Sequence, residues 1–178
     1  DKFPVGHAAD PLTAGIDLCA VPHPAPGEGT VLLLDCEGSD NPCTDNAAHY
    51  RAITTLAFCL ACQVVHCESG TVKESTLEDL SATLAARQMI RGEGADRLAQ
   101  RTRLCLLVIA CRFKDLDDAY FESRILADRP GQPGRNETRA LIREAFPDRR
   151  LRALPHLGEA PAYEAAVASL RAELLEGA

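Results

Sequence analysis

Short aliphatic runs constrain the fold of this chain more than any other feature of its sequence. The strongest is Leu104 to Cys111 (LCLLVIAC), and Thr30 to Leu34 (TVLLL) and Ala61 to Cys67 (ACQVVHC) are of the same kind. Continuous apolar runs of about four to eight residues are typical of strands that are buried on both faces. Such strands need helices on both sides of the sheet, so we predict an α/β fold with a largely parallel sheet.

Helical segments alternate with these runs. The sequence Ser75-Thr-Leu-Glu78 is a capping box and predicts a helix that continues to about Ile90. Asn46 and Asn136 are predicted N-caps of two further helices. The remaining predicted elements are a strand at 15–21, helices at 117–126 and 162–175, and a short last strand at 151–154.

The composition limits the possible partners. With 178 residues, 46% of them hydrophobic, the chain is expected to form one domain over 1–178, in which about 161–178 is the C-terminal helix. A net charge of −7 argues against nucleic acid or acidic lipid bound by charge alone. No apolar run reaches the roughly 18 residues of a membrane helix, so we expect no membrane segment in this chain and a cytoplasmic location.

Cysteine is frequent, with eight residues in the chain. The pair Cys59-x-x-Cys62 suggests a zinc or redox site, but no second pair with similar spacing accompanies it. Most of the cysteines lie in apolar stretches, where a free thiol behaves as a small hydrophobic side chain. A zinc or redox protein is therefore a weak functional hypothesis for this chain.

An acidic residue and a glycine follow the aliphatic run at 30–34. This segment, Asp35-Cys-Glu-Gly38, is compatible with a simple turn, since Asp and Gly both favour turns. Ligands of open α/β sheets, however, bind outside the carboxyl ends of the strands. A carboxylate there can hold magnesium, directly or through water, and a glycine lets a backbone N–H approach a phosphate.

Five motifs, in order, resemble the GTPase domain of the guanylate-binding protein and atlastin family of large, dynamin-like GTPases. The resemblance covers about residues 3–160 and implies a P-loop GTPase-like three-layer sandwich with a mostly parallel sheet. The motifs are Thr13-x-Gly15-Ile16, the V-P-H-P sequence at 21–24, VLLLDCEG at 31–38, GTVKESTLEDL at 70–80 and RALIREAFPDRRLRALPHLG at 139–158.

The resemblance also implies roles for five residues. Asp35 would hold the magnesium ion of the nucleotide through water, and Gly38 would donate its N–H to the γ-phosphate. Thr13 would give its hydroxyl to magnesium and its carbonyl to the attacking water, beside which Glu37 would lie. Arg112 would bind the nucleotide at the base. The family further implies a Mg²⁺ cofactor, binding of GTP and GDP, GTP hydrolysis and a nucleotide-dependent homodimer.

The chain departs from the family pattern in three places. It contains no G-x-x-x-x-G-K-[ST] motif, which the family places just upstream of the position of Phe3. We interpret the chain as truncated there, without the first strand and the P-loop, and expect these residues alone to be inactive. Phe113 replaces the aspartate that reads guanine, with Asp115 a possible substitute, and Pro11 replaces a serine. These changes keep open a catalytically inactive pseudo-GTPase that binds or scaffolds.

Overall fold

A computed structural model describes residues 15–25, 27–37, 47–88, 102–113 and 115–175. The chain divides into two compact units, Asp1–Leu60 and Ala61–Ala178. Within the described ranges, no helix is long and apolar enough to cross a membrane. That the chain forms one domain stays a prediction.

The first unit is built on a β-hairpin. Strands β1 (Ile16–Pro22) and β2 (Thr30–Cys36) pair antiparallel, and helix α1 (Ala47–Leu60) follows them. The aromatic side chains of Tyr50 and Phe58 are buried in this unit. Both strands were predicted, but the expectation that the run at 30–34 is buried on both faces was wrong: Leu32 is 58% exposed, and β2 pairs antiparallel with β1 in a two-stranded sheet.

The second unit contains a parallel sheet. Strands β3 (Gln63–Ser69), β4 (Arg103–Ile109) and β5 (Arg149–Ala153) pair in the order β3-β4-β5. The central strand is buried from Leu104 to Val108, as its continuous apolar sequence predicts. The α/β class is therefore confirmed.

Helices cover this sheet. They are α2 (Glu74–Gln88), the short α3 (Asp118–Tyr120), which continues as a π-helical turn (Phe121–Ile125), α4 (Pro133–Ala145) and α5 (Ala160–Leu175). Apolar side chains from three of these segments and their ends are almost fully buried and form the core with β4. These side chains are Leu77, Leu80, Leu84, Phe121, Leu126, Ile142 and Phe146.

Two predicted helix starts differ from the observed ones. Helix α2 begins at Glu74, so Ser75 lies in its first turn and is not the N-cap of a capping box. Helix α4 begins at Pro133, a residue that suits the first helical position because its missing N–H needs no partner there. Instead, the side-chain amide of Asn136 accepts a hydrogen bond from the N–H of Arg129 at 2.8 Å. The same amide donates a hydrogen bond to the carbonyl of Arg129 at 3.0 Å. The predicted N-cap Asn46 lies outside the described residues.

A buried ion pair joins α2 to α4. The guanidinium of Arg139, whose side chain is 1% exposed, donates to both carboxylate oxygens of Glu74 at 2.8 Å. Its Nε also donates to the carbonyl of Ile125, at the end of the π-helical turn, at 2.9 Å. One side chain thus connects three helical segments of the second unit, and its hydrogen bond lowers the pKa of Glu74.

A second ionic group joins α5 to β5. Glu173 accepts hydrogen bonds from Arg152, at 2.6 and 2.7 Å, and from Arg150 at 2.5 Å. These bonds, the one from Arg152 above all, lower the pKa of Glu173. The last helix is therefore fixed to the edge strand by charge as well as by packing.

The stability of the second unit is expected to fall at acidic pH. Glu74 and Glu173 both have lowered pKa values when folded, so each stabilises the fold above its unfolded pKa and loses that effect as pH falls. Between pH 7 and 6, these two groups should leave the free energy of unfolding, measured with urea, almost unchanged. Below about pH 4.3 that free energy should decline. The double variant Glu74→Gln/Glu173→Gln should show a smaller decline; an equal decline would contradict this assignment.

Candidate functional site

Asp35 lies near the end of β2, directly opposite Asp17 of β1 in the hairpin register. Side chains of directly opposed residues lie on the same face of an antiparallel pair, so the two half-buried carboxylates share one face. Like charges in this arrangement destabilise a hairpin, and a bound cation would relieve the repulsion. Two carboxylates therefore lie side by side at the position that the sequence singled out.

The donor set on this face fits magnesium. Magnesium binds proteins through one or two carboxylates and completes its shell with water and phosphate oxygens. Cys36 is the neighbour of Asp35; burial, and secondarily the charge of Asp35, raise the pKa of its thiol and keep it neutral. Across the described ranges, no three His, Cys, Asp or Glu side chains are grouped to hold a metal by themselves. Asp35 and Asp17 could thus supply the one or two carboxylates that such a shell takes from a protein.

Glu37 closes the open end of the hairpin. Its carboxylate Oε2 accepts a hydrogen bond from the N–H of Gly15 at 3.0 Å, and its own N–H donates to the carbonyl of Gly15 at 2.9 Å. The Glu37 side chain is 10% exposed, and Nε2 of His49 lies 3.8 Å from the same oxygen. Gly15 has a φ of +91°, a conformation that favours glycine. Glu37 thus fixes the backbone two residues after Thr13.

Thr13 and Gly38 lie outside the described residues, so their roles remain predictions. Asp35 and Glu37 belong to the first unit and Arg112 to the second. Within the first unit the structure places Asp35 and Glu37 near one end of the hairpin, as the motif D-C-E-G requires. The bond between Glu37 and Gly15 was not foreseen, although both residues fall within motifs that the sequence singled out.

The carboxyl ends of the parallel strands are linked by backbone hydrogen bonds. The N–H of Gly70, after β3, donates to the carbonyl of Ile109 at 2.8 Å, and the N–H of Cys111 donates to Leu154, after β5, at 2.9 Å. The strand predicted over 104–111 ends at Ile109, because Ala110 adopts a φ of +54° and turns the backbone. The last two residues of that prediction were therefore wrong.

Arg112 and Phe113 follow this turn and are exposed to solvent. The buried Cys111 holds their backbone, since its Sγ accepts a hydrogen bond from the N–H of Phe113 at 3.3 Å. Asp115, the suggested substitute for the guanine-reading aspartate, is also exposed. The thiol contact could not be predicted from the sequence, because Cys111 reads as the end of an apolar strand.

The two cysteines of the zinc hypothesis lie in different segments of the chain. Cys59 is in the last turn of α1, and Cys62 immediately precedes β3. Both are free thiols, half-buried and exposed respectively. Burial raises the pKa of another thiol, that of Cys105 in β4, to about 11, so this side chain is a neutral core residue.

Comparison with known proteins identifies the class to which this α/β chain belongs. The model of the N-terminal domain of guanylate-binding proteins matches residues 1–104, more than half of the chain. The chain therefore belongs to the guanylate-binding protein family.

Individual proteins that the chain resembles belong to the same family. Guanylate-binding protein 6 of Mus musculus is 25% identical over 168 residues, which cover 83% of this chain and 28% of the relative. Guanylate-binding protein 7 of Homo sapiens is 30% identical over 95 residues, which cover 53% of this chain and 15% of the relative. Each alignment thus spans less than a third of the relative, and what the whole proteins do bears on this chain as a proposal.

Proposed function

We propose that this chain belongs to the nucleotide-binding domain of a GTPase that hydrolyses GTP with Mg²⁺. The observation that carries the proposal is the position of Asp35, near the end of a strand, opposite Asp17, and inside the segment matched by the family model. The names of the relatives, guanylate-binding proteins, support a guanine nucleotide as the ligand. A nucleotide-dependent homodimer and a cytoplasmic location are parts of the same proposal.

The proposed chemistry is positioning and charge neutralisation, which phosphoryl transfer mainly requires. Bound magnesium would neutralise the phosphate charge, and Asp35, through water, and the hydroxyl of Thr13 would hold it. The N–H of Gly38 would donate to the γ-phosphate, and the carbonyl of Thr13 would orient the attacking water. Glu37 would act through its bond to Gly15, two residues after Thr13.

A pseudo-GTPase that binds nucleotide without turnover is the second candidate. It is favoured by the exposed Phe113, which cannot accept hydrogen bonds as the family aspartate does. Pro11, without a hydroxyl, points the same way. Against it stand four motif residues, since a module free of the chemistry has no need of all of them: Thr13, Asp35, Glu37 and Gly38.

Release of inorganic phosphate from GTP separates the two candidates. The protein in its full natural length would be assayed with excess Mg²⁺ and with EDTA, with GTP as substrate. Turnover that requires Mg²⁺ supports the GTPase. Nucleotide binding without phosphate release supports the pseudo-GTPase, and absence of both from a folded protein contradicts the whole proposal.

Substitutions of Glu37 test its role as a positioning residue. We expect Glu37→Gln to keep turnover within about three-fold, because the amide oxygen can still accept from Gly15, whereas Glu37→Ala should lose roughly ten-fold or more. The alanine variant should also be about 1 kcal/mol less stable. Phosphate release and urea unfolding would be measured together.

The matched control is His49→Gln, which removes the 3.8 Å ion pair and leaves the bond to Gly15 in place. This variant should turn over GTP like the wild type. If Glu37→Gln is as inactive as Glu37→Ala, the carboxylate charge itself is required, and the positioning role is wrong.

A further inference from the structure

Strand β5 is an edge strand of the second unit. It lies at the end of the order β3-β4-β5, and no other strand of the described ranges pairs with its outer edge. The backbones of Asp148 and Leu154, on either side of β5, hydrogen-bond to β4. Because the bonding direction alternates along a strand, Leu151, three residues from each, directs its own N–H and C=O outward. Outward backbone groups of this kind are a template on which another strand can pair.

Both outward groups of Leu151 are occupied. Oδ1 of Asp118 accepts a hydrogen bond from the N–H of Leu151 at 2.8 Å and another from Nη1 of Arg152, also at 2.8 Å. The same Nη1 donates to the carbonyl of Leu151 at 2.8 Å. At the centre of a strand of five residues, the outward N–H is therefore bonded and the outward carbonyl is covered by a guanidinium.

The sequence around Asp118 fixes this carboxylate beside the strand. Asp117 is the N-cap of α3, and its side chain accepts a hydrogen bond from the N–H of Tyr120 at 2.8 Å. Phe121, which is 0% exposed, anchors the following turn in the core. Asp118 lies between these two fixed residues, and its side chain is 50% exposed. The carboxylate therefore meets β5 at the surface of the second unit.

The charges of β5 do not protect its edge by themselves. Three of its five residues are arginines, and positive charge on an edge strand normally discourages pairing with another chain. Each arginine, however, is paired with at least one carboxylate: Arg149 with Glu122, Arg150 with Asp148 and Glu173, and Arg152 with Asp118 and Glu173. Because these pairs offset the positive charge, the hydrogen bonds at Leu151 are the main obstacle to a further strand.

We propose that Asp118 is an edge-protecting residue, and that its loss opens β5 to antiparallel pairing with β5 of a second copy of the chain. The edge is self-complementary, because a two-fold axis at Leu151 lets the two copies of this residue exchange both N–H···O bonds. A two-fold interface is closed, so the expected product is a dimer. Nucleotide takes no part in this contact, and its effects are measured without nucleotide.

Hydrogen exchange of the Leu151 amide tests the contact in the protein of full natural length. In the wild type this amide should exchange at least roughly 100-fold more slowly than in an unstructured chain, although it lies on an edge. Asp118→Asn keeps an oxygen that can accept the bond and should retain most of this protection. Asp118→Ala removes the acceptor, so the amide should exchange roughly ten-fold faster or more.

Sedimentation equilibrium tests the pairing with a second copy. Asp118→Ala should dimerise at a concentration roughly ten-fold lower than the wild type, and Asp118→Asn should behave like the wild type. The matched control is Glu122→Ala, which breaks the ion pair with Arg149 on the same edge and leaves the bond to Leu151 in place. This variant should change neither the exchange of the amide nor the association.

Three results would overturn the inference. The first is an unprotected Leu151 amide in the folded wild type, a result that needs no variant and so holds even if Asp118→Ala does not fold. The second is equal association of Asp118→Ala and the wild type, which would show that the opened edge does not pair. The third is association of Glu122→Ala as strong as that of Asp118→Ala, which would assign the effect to lost charge pairing.

Discussion

Replacing Asp35 by Asn is expected to lower Mg²⁺-dependent GTP turnover by roughly 100-fold or more. The amide keeps the size of the side chain but removes the negative charge that would hold the magnesium ion. The apparent magnesium affinity should fall with the rate, so a titration of turnover against Mg²⁺ would show both effects. The measurement is phosphate release at saturating GTP, over a wide range of Mg²⁺ concentrations.

The structure provides a matched control on the same face. Asp17→Asn removes the opposing carboxylate of the hairpin pair and, like Asp35→Asn, relieves the repulsion between the two strands. Asp17→Asn should retain most of the turnover, because Asp17 lies outside the D-C-E-G segment, and urea unfolding of both variants would separate a loss of turnover from a loss of stability. If Asp35→Asn hydrolyses GTP at the wild-type rate with the same Mg²⁺ dependence, the assigned role of Asp35 is wrong.

Replacing Glu74 by Ala is expected to destabilise the second unit by about 3 kcal/mol. The change leaves the guanidinium of Arg139, 1% exposed, without its carboxylate partner. Carbonyls of Ile125 and Arg135 still accept from Arg139, and Glu74 itself is 27% exposed, so we expect the lower end of the range for a broken buried pair. Urea unfolding should show a midpoint lower by roughly 1.5 M.

Two further variants distinguish the contribution of the buried ion pair to stability from that of surface charge. Arg135→Ala removes a more exposed guanidinium, 3.7 Å from the same carboxylate, and should cost less than about 1 kcal/mol. Combining Glu74→Leu with Arg139→Met should restore much of the stability, because well-packed apolar residues can replace a buried ion pair at little cost. A midpoint for Glu74→Ala equal to that of the wild type would show that the pair does not stabilise the unit.

Strand β4 was predictable because its signal is local, whereas the same apolar signal wrongly predicted buried strands for β2 and β3, in which Leu32 and Val65 are exposed. The run of apolar residues in β4 needs two covered faces wherever it lies in a fold, and the structure buries Leu104 to Val108 as expected. The end of that strand was not predictable, because Ala110 and Cys111 continue the apolar pattern. The turn at Ala110 is fixed by the bond of Cys111 to Leu154, 43 residues further along the chain.

The helix starts failed for a related reason. Asn136 is a good N-cap by residue type, but in the structure its amide binds both backbone groups of Arg129, and Pro133 begins the helix earlier. Glu74 begins α2 in place of the predicted Ser75, and its carboxylate is paired with Arg139, 65 residues away. A sequence pattern of three or four residues contains no information about such partners.

The candidate site likewise contains residues that a local pattern predicts and contacts that only the structure reveals. Asp35 follows from the position of a carboxylate near the end of an aliphatic strand, which is a local pattern. The bond of Glu37 to Gly15, across 22 residues, depends on the register of the hairpin and required the structure. The thiol contact that supports Phe113 likewise depends on a backbone turn that residue types alone do not specify.

Binding of a non-hydrolysable GTP analogue tests the central claim most directly, because both the GTPase and the pseudo-GTPase require it. Calorimetry on the protein in its full natural length would compare Mg²⁺ with EDTA, after circular dichroism has shown that the protein is folded. We expect saturable binding of one nucleotide per chain that is at least ten-fold tighter with Mg²⁺. A folded protein that binds no analogue under either condition would contradict the assignment of Asp35 and its neighbours to a nucleotide site.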